Sequence, residues 1–340
     1  MIFIVLIALL IPISGIYFLS KNRKTISAMS EENGKKNFIK YAEFNVPFEA
    51  LEKAMKIDIN SYDKDIKINW IEVLSYLASK YGGDFKSHYN PKDMDDVVLK
   101  LNDGKSMEEL TLNMKTYKYF NEVYTAVLKE FIGKYSIQVG TNEENNESIY
   151  EEKYGLKAFS PIAKTFPYQH YDDFGCKRTY GYARPHLGHD MMASTGTPVI
   201  AIESGIVEIM GWNQYGGWRI GIRSFDKKIY YYYAHLRKNS PFNDKLCEGK
   251  VVKAGDVIGY VGRTGYSPNE NVNNIETSHL HVGLELIFDE SQKECDNEIW
   301  VDMYNITRLL AKNQSEVKRV SESKQYYRKN DFKESILEGN

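Results

Sequence analysis

Five of the seven histidines in this 340-residue chain fall between residues 186 and 281, in three short clusters. His186 and Asp190 stand four apart in RPHLGHD, with Gly188 and His189 between them; His235 follows KIYYYYA; His279 and His281 flank Leu280 in SHLHVG. Imidazole and carboxylate groups bind a divalent cation, and two histidines with one aspartate around zinc, leaving a fourth position open, make a hydrolytic arrangement. Alternation along a strand gives His186, Gly188 and Asp190 one face and Leu187 and His189 the other. On that pattern Gly188 leaves room for something bulky, such as a hydrated ion. His279 and His281 share a face with Leu280 turned inward. His235 ends a strongly apolar strand, where an unpaired imidazole is costly to bury. Each cluster alone is weak, since a single strand histidine is ordinarily a satisfied core or surface residue. The helical HExxH zinc motif is absent, so a metal-dependent hydrolase here must be of another lineage.

The elements that must position these groups are β-type. TPVIAIESGIVEIMGW, GGWRIGIRSF, KKIYYYYAHL, GDVIGYVGRTG and HLHVGLELIF alternate between apolar and polar residues and are punctuated by glycine every eight to twelve residues, which predicts an antiparallel β-domain over 157–312. FDKK reads as a hairpin turn, and EIWVDMYNITRLLAKN as a closing helix. Residues 45–136 have helical periodicity and predict a small bundle, making the fold class α+β overall. Asn45 reads as a cap with Pro47 in the first turn, and Phe48, Leu51 and Met55 share a face. Trp70, Leu74, Leu77 and Tyr81 form a second stripe, stopped by Gly82 and Gly83. Ser106 and Glu109 predict a capping box that opens one longer helix through Phe131. This region carries only His88, in a loop-like KSHYNP, and reads as a packing module or a docking site for a protein partner. Residues 137–156 read as a polar linker and 313–340 as a charged, mobile tail.

Residues 2–20 contain no charged side chain, long enough for a transmembrane anchor, and 21–44 read as a linker. No basic stretch precedes the span and no A-x-A site follows it, which favours a retained anchor over a cleaved signal. Lys21, Arg23 and Lys24 pull that flank toward the cytoplasm, so orientation stays open. A net charge of −2 gives no field to recruit nucleic acid. Cys176, Cys247 and Cys295 show neither a disulfide framework nor metal spacing and read as small apolar residues.

Residues 180–288, taken in order through RPHLGHD, GTPVIAIESGIVEIMGW, YYYYAHL, GKVVKAGDVIGYVGRTG and SHLHVGLEL, resemble the lysostaphin-type, LytM-like zinc peptidases of bacterial cell walls. The resemblance implies that His186, Asp190 and His281 ligate zinc. It also implies that His279 is the general base or water-orienting group and that His235 stabilises the transition state. The implied substrate is a peptide bond in peptidoglycan stem peptides or cross-bridges. The implied location is a single-pass membrane anchor with the peptidase domain outside the cytoplasm. Trp212, Tyr215 and Trp218 are candidates to line the groove, against a plain reading as cross-strand aromatics. Tyr182 is a candidate oxyanion donor. The chain departs from the family in His189, where an aliphatic residue is common, and in its closing helix. Two other readings stay open: a catalytically silent envelope scaffold or activator with the same fold, and a zinc D-Ala-D-Ala carboxypeptidase, to which the glycine scaffold is foreign.

Overall fold

A computed structural model describes residues 38–293 and 297–337. The anchor expected at 2–20 and Cys295 lie outside these residues, as does the linker 21–44 up to residue 37. Among the described residues no helix is long and apolar enough to cross a membrane. The rest of that linker is packed, with Ala42 and Phe44 buried.

Six helices come first: α1 (Phe48–Ser61), α2 (Trp70–Tyr81), α3 (Phe85–His88), α4 (Pro91–Asn102), α5 (Met107–Thr111) and α6 (Tyr117–Leu128). The α2 boundaries follow from local chemistry. The Asn69 side chain accepts from the N–H groups of Ile71 and Glu72, and Gly82 closes the helix at φ 62°. Asn45 does not cap α1; Pro47 takes that position without a side-chain hydrogen bond, its ring-fixed φ of −70° paired with an extended ψ. The Ser106–Glu109 capping box is present, but its helix ends at Thr111. The Thr111 hydroxyl donates to the Met107 carbonyl, and the Met114 N–H turns back to the Thr111 carbonyl. Helix α6 therefore starts separately and packs on α2.

The strands are β1 (Ile132–Thr141), β2 (Ser148–Leu156), β3 (Tyr168–His170), β4 (Lys177–Arg178), β5 (Arg184–Pro185), β6 (His189–Ala193), β7 (Pro198–Ile200), β8 (Gly205–Asn213) and β9 (Gly217–Ser224). They continue with β10 (Ile229–Ala234), β11 (Val251–Val252), β12 (Val257–Tyr260), β13 (His279–Leu286) and β14 (Ile299–Val301). The main sheet runs β11-β8-β9-β10-β13-β6-β3, with β14 also on β13, and its pairings are antiparallel. One face buries Ile220, Ile222, Tyr231, Tyr233, Leu280, Val282 and Leu284. The FDKK turn joins β9 to β10 with Lys227 at φ 60°. The closing segment splits into β14 and a short helix, α7 (Tyr304–Leu310).

Three expectations need correction. Residues 137–156 are no linker: β1 and β2 pair through Ile132–Leu156 to Thr141–Ser148 as a hairpin, whose polar residues stay at the surface. The described part of the tail, 313–337, is folded. It forms β15 (Val317–Arg319), β16 (Tyr326–Arg328) and β17 (Phe332–Lys333), with β17 on β1. Phe332 is fully buried against Phe159, Ala254 and Tyr260, which a charge count over the tail conceals. Lys157 ties the hairpin to both neighbours, 2.7 Å from Glu130 and 2.7 Å from Glu334. Cys176 and Cys247 are exposed free thiols, since both sit in turns outside the core.

The helical region shares one continuous apolar core with the sheet. Helix α1 meets α7 through Arg308–Glu49 at 3.4 Å and Lys312–Glu52 at 2.6 Å, with the Arg308 guanidinium 4.4 Å from the Phe48 ring centre.

Candidate metal centre and groove

The H-x-x-x-D pair does not lie on one continuous strand. His186 follows β5, Asp190 is in β6, and a bend over 187–188 joins them. The His186 N–H donates to the Cys176 carbonyl, which anchors this ligand to the β4–β5 hairpin. Gly188 is needed for a reason other than room for a hydrated ion. A Cβ there would lie 2.4 Å from Cε1 and 2.5 Å from Nε2 of His281, so its absence lets the His281 ring close over the bend. His281 itself pairs with Asp190 across β13 and β6.

The structure brings His186, Asp190 and His281 together. His186 Nε2 is 3.1 Å from Asp190 Oδ1 and 2.8 Å from His281 Nδ1, and His281 Nδ1 is 3.0 Å from the same oxygen. Two imidazole nitrogens and one carboxylate oxygen thus form a nearly equilateral triangle, the one group of this kind among the described residues. A tetrahedral zinc ion with bonds of ~2.0–2.1 Å spaces its ligand atoms ~3.3 Å apart, so donor chemistry and spacing both fit that ion.

Burial works against charge on His186, yet its hydrogen bonds to the Asp173 and Asp190 carboxylates outweigh it and carry the imidazole up to about 9. Burial likewise opposes ionisation of Asp190, but His186 and His281 hold its carboxyl far below the usual carboxylate range. The second Asp190 oxygen accepts from Arg178 at 2.8 Å, and Arg178 also binds Asp173 at 3.0 Å. Asp173 in turn accepts from His186 Nδ1, at 3.1 Å through its carboxylate. Arg178 and Asp173 therefore orient two of the three ligand groups. Neither stands out in the sequence: Asp173 lies in a loop and Arg178 in a two-residue strand, 5 residues from Asp173 and 12 from Asp190, with no periodicity to connect them. Arg178→Met is expected to weaken zinc binding roughly 10–100-fold, measured by chelator competition, with the fold intact by circular dichroism.

Beside the triangle, His279 Nδ1 donates to the Thr277 carbonyl at 2.8 Å, and its Nε2 lies 3.7 Å from Asp190 Oδ1. His235, at φ 61°, directs Nδ1 to the Thr264 carbonyl at 3.0 Å, with its ring centre 4.9 Å from that of His279. Burial first, and then the neighbouring His279 and His281, hold His235 well below its ordinary value. In each ring the carbonyl partner keeps a proton on Nδ1, so that the neutral form carries its lone pair on Nε2. His189 faces the other way, as strand alternation predicts. It is buried against His170, 2.9 Å between Nε2 and Nδ1, and touches the centre only through Asp173.

The triangle opens into a groove of about 540 Å³. Tyr215 lines it, whereas Trp212 and Trp218 do not; they form a cross-strand pair in β8 and β9 with ring centres 5.7 Å apart. Tyr182 is 58% exposed and packs edge-on to Tyr215, so the structure does not bring it to the ligands as an oxyanion donor.

An antiparallel sheet presenting a His-Asp-His group able to hold a metal beside an open groove defines a metallopeptidase-like domain. Residues 184–295 match the model of Peptidase family M23, so the chain carries a peptidase M23 domain, LytM-like in fold. It is 32% identical over 219 residues to the L-Ala–D-Glu endopeptidase of Bacillus subtilis, an alignment covering 57% of this chain and 64% of that protein. It is 41% identical over 100 residues to lysostaphin of Staphylococcus simulans, covering 27% of this chain and 19% of that one. The chain therefore spans less than two thirds of the length of either relative. Among solved structures, the lysostaphin catalytic domain from Staphylococcus simulans aligns at 30% identity and a TM-score of 0.33, covering 42% of this chain and 92% of that one.

Proposed function

We propose that this protein is a membrane-anchored zinc metalloendopeptidase. It hydrolyses peptide bonds in bacterial peptidoglycan, in stem peptides or cross-bridges, with the peptidase domain outside the cytoplasm. The observation that carries the reading is the triangle of His186, Asp190 and His281 beside the groove. The substrate class is supported by the names of two relatives, the L-Ala–D-Glu endopeptidase of Bacillus subtilis and a peptidoglycan DD-endopeptidase of Vibrio cholerae. The uncharged run at 2–20 supports the anchor and the location.

When bound, zinc supplies a hydroxide-like nucleophile near neutral pH and polarises the scissile carbonyl. His186, Asp190 and His281 would hold it, and Arg178 occupies the second Asp190 oxygen. His279, with Nδ1–H given to Thr277, receives the water proton on Nε2 and returns it to the leaving amine. His235 lies beside it as the second proposed group; burial keeps its ring neutral and Thr264 holds Nδ1–H, so to donate to a developing oxyanion through Nε2 it would shift to the other tautomer, which needs no added proton. A complete set of five groups favours an active enzyme over a silent scaffold.

The test is digestion of purified peptidoglycan by the full chain, with muropeptides read by mass spectrometry. New peptide-bond termini are expected with zinc, and none after chelation until zinc is restored. Stoichiometric zinc binding without any cleavage would leave the scaffold reading standing.

A further inference from the structure

Stem peptides and glycine cross-bridges differ in charge: a stem peptide carries free carboxylates along its length and a glycine bridge carries none. Resting on the function proposed above, we propose that Arg219 is the carboxylate-binding residue of the groove. The substrate is then a stem peptide cut beside a residue with a free carboxylate, of the kind a D-glutamyl residue supplies.

The register of the sheet carries the argument. Asp190 pairs with His281, and His281 pairs with Ala234. On the far side of β10, Tyr233 pairs with Ile220, so the next residue along β9, Arg219, faces Ala234. Asp190, His281, Ala234 and Arg219 therefore form one row across four strands, all contributing to the same groove. Adjacent strands lie ~4.8 Å apart, which puts the Arg219 backbone ~10 Å from that of His281 with only an alanine methyl between them. A carboxylate held there lies within a residue or two of a carbonyl at the metal centre, given ~3.3–3.6 Å per extended residue.

The other cations of this groove are engaged. Arg178 serves Asp190 and Asp173, and Lys293 pairs with Glu208. Arg184 donates to the Tyr180 carbonyl and packs 4.8 Å from the Tyr215 ring centre. Arg219 has no ion pair and no side-chain hydrogen bond among the described residues, and its buried Nε has no partner. Glu285 also lines the groove but stands opposite Tyr230, four residues along β10 from Ala234, or ~13 Å at strand spacing. Tyr232 and Tyr230, which alternate with the core along β10, line the same groove and feel the charge of Arg219. A guanidinium fork flanked by phenol hydroxyls suits a planar carboxylate, and a buried donor left empty makes an uncharged substrate the poorer ligand.

Three synthetic substrates test this with the zinc-loaded full chain. Two are stem peptides that differ only in whether the D-glutamyl α-carboxylate is free or amidated, and the third is pentaglycine. Wild type is expected to favour the free acid over the amide roughly 10–100-fold in kcat/KM, the range for one charged hydrogen-bonded pair, and to leave pentaglycine uncut. Arg219→Gln is expected to bring the acid-to-amide ratio close to one by slowing the acid alone. The readout is a ratio within one protein, so a general loss of folding or metal lowers both rates and leaves it unchanged. Should Arg219→Gln fail to accumulate, Arg219→Lys decides in its place: a reduced preference supports the assignment. Equal cleavage of acid and amide by wild type, faster cleavage of pentaglycine, or an unchanged ratio in the variant overturns it while sparing the peptidase reading. Failure of wild type to cut any of the three overturns that reading and this assignment with it.

Discussion

Asp190→Ala is expected to lose bound zinc and wall-peptide hydrolysis together. The two oxygens of this carboxylate do separate work. Oδ1 sits 3.1 Å from His186 and 3.0 Å from His281, closing the ligand triangle, while Oδ2 accepts from Arg178 at 2.8 Å. Truncation leaves two imidazoles and a guanidinium converging on a site without its anion, a poor receptor for a divalent cation. A bound metal contributes several kcal/mol of transition-state charge stabilisation, and ~1.4 kcal/mol is a tenfold change in rate, so turnover falls by roughly 10³-fold or more. Asp190→Asn separates charge from shape, because it keeps the volume and an oxygen toward Arg178. It too is expected to lose metal if ligation is the role of this side chain. Elemental analysis after dialysis reads the metal, and release of soluble muropeptides reads the chemistry. A variant that retained one zinc per chain would remove Asp190 from the ligand set.

The grouping of the histidine clusters was legible in the sequence where their members sit in patterned strands, as His279 and His281 do. Leu280 is fully buried between His279 and His281, so period-two alternation delivers both imidazoles to one face of β13. His235 is read the same way, at the end of a strand whose odd-numbered tyrosines fill the core. The relation of His186 to Asp190 was read for the wrong reason: the two are joined by a bend, and Gly188 makes way for the His281 ring rather than for solvent. A contact across 93 residues has no local signature. The same limit hid Arg178, Asp173 and Arg219, whose significance lies in what faces them across hairpins and sheet rows. The tail was misread on composition. Its charges are real, but Phe332 is fully buried against Phe159, Glu334 pairs with Lys157, and β17 adds to the edge of β1. Likewise 137–156 is rich in polar residues because a two-stranded ribbon on the surface exposes most of its side chains, and polarity alone does not separate it from a linker.

His279→Ala is expected to part chemistry from metal binding. Its Nε2 is 3.7 Å from Asp190 Oδ1, outside the 2.8–3.1 Å contacts that define the triangle, so removing the ring leaves His186, Asp190 and His281 in place. What is lost is a proton acceptor fixed in one tautomer by the Thr277 carbonyl and held beside the centre. General acid–base assistance is worth roughly 10²–10⁴-fold, and the variant should lose that much in kcat with zinc still stoichiometric and the circular dichroism unchanged. His279→Gln keeps a side chain of similar reach but cannot take up the proton, so it should be as slow as the alanine variant if proton transfer is the role. Recovery of rate in the glutamine variant would point to water positioning instead. His235, with the same Nδ1 arrangement and its ring 4.9 Å away, is the one neighbour placed to take over a lone-pair role. The double variant His235→Ala/His279→Ala measures that directly: a further fall beyond the single variant means His235 had been carrying the residual turnover, and no further fall means the two imidazoles act as one unit.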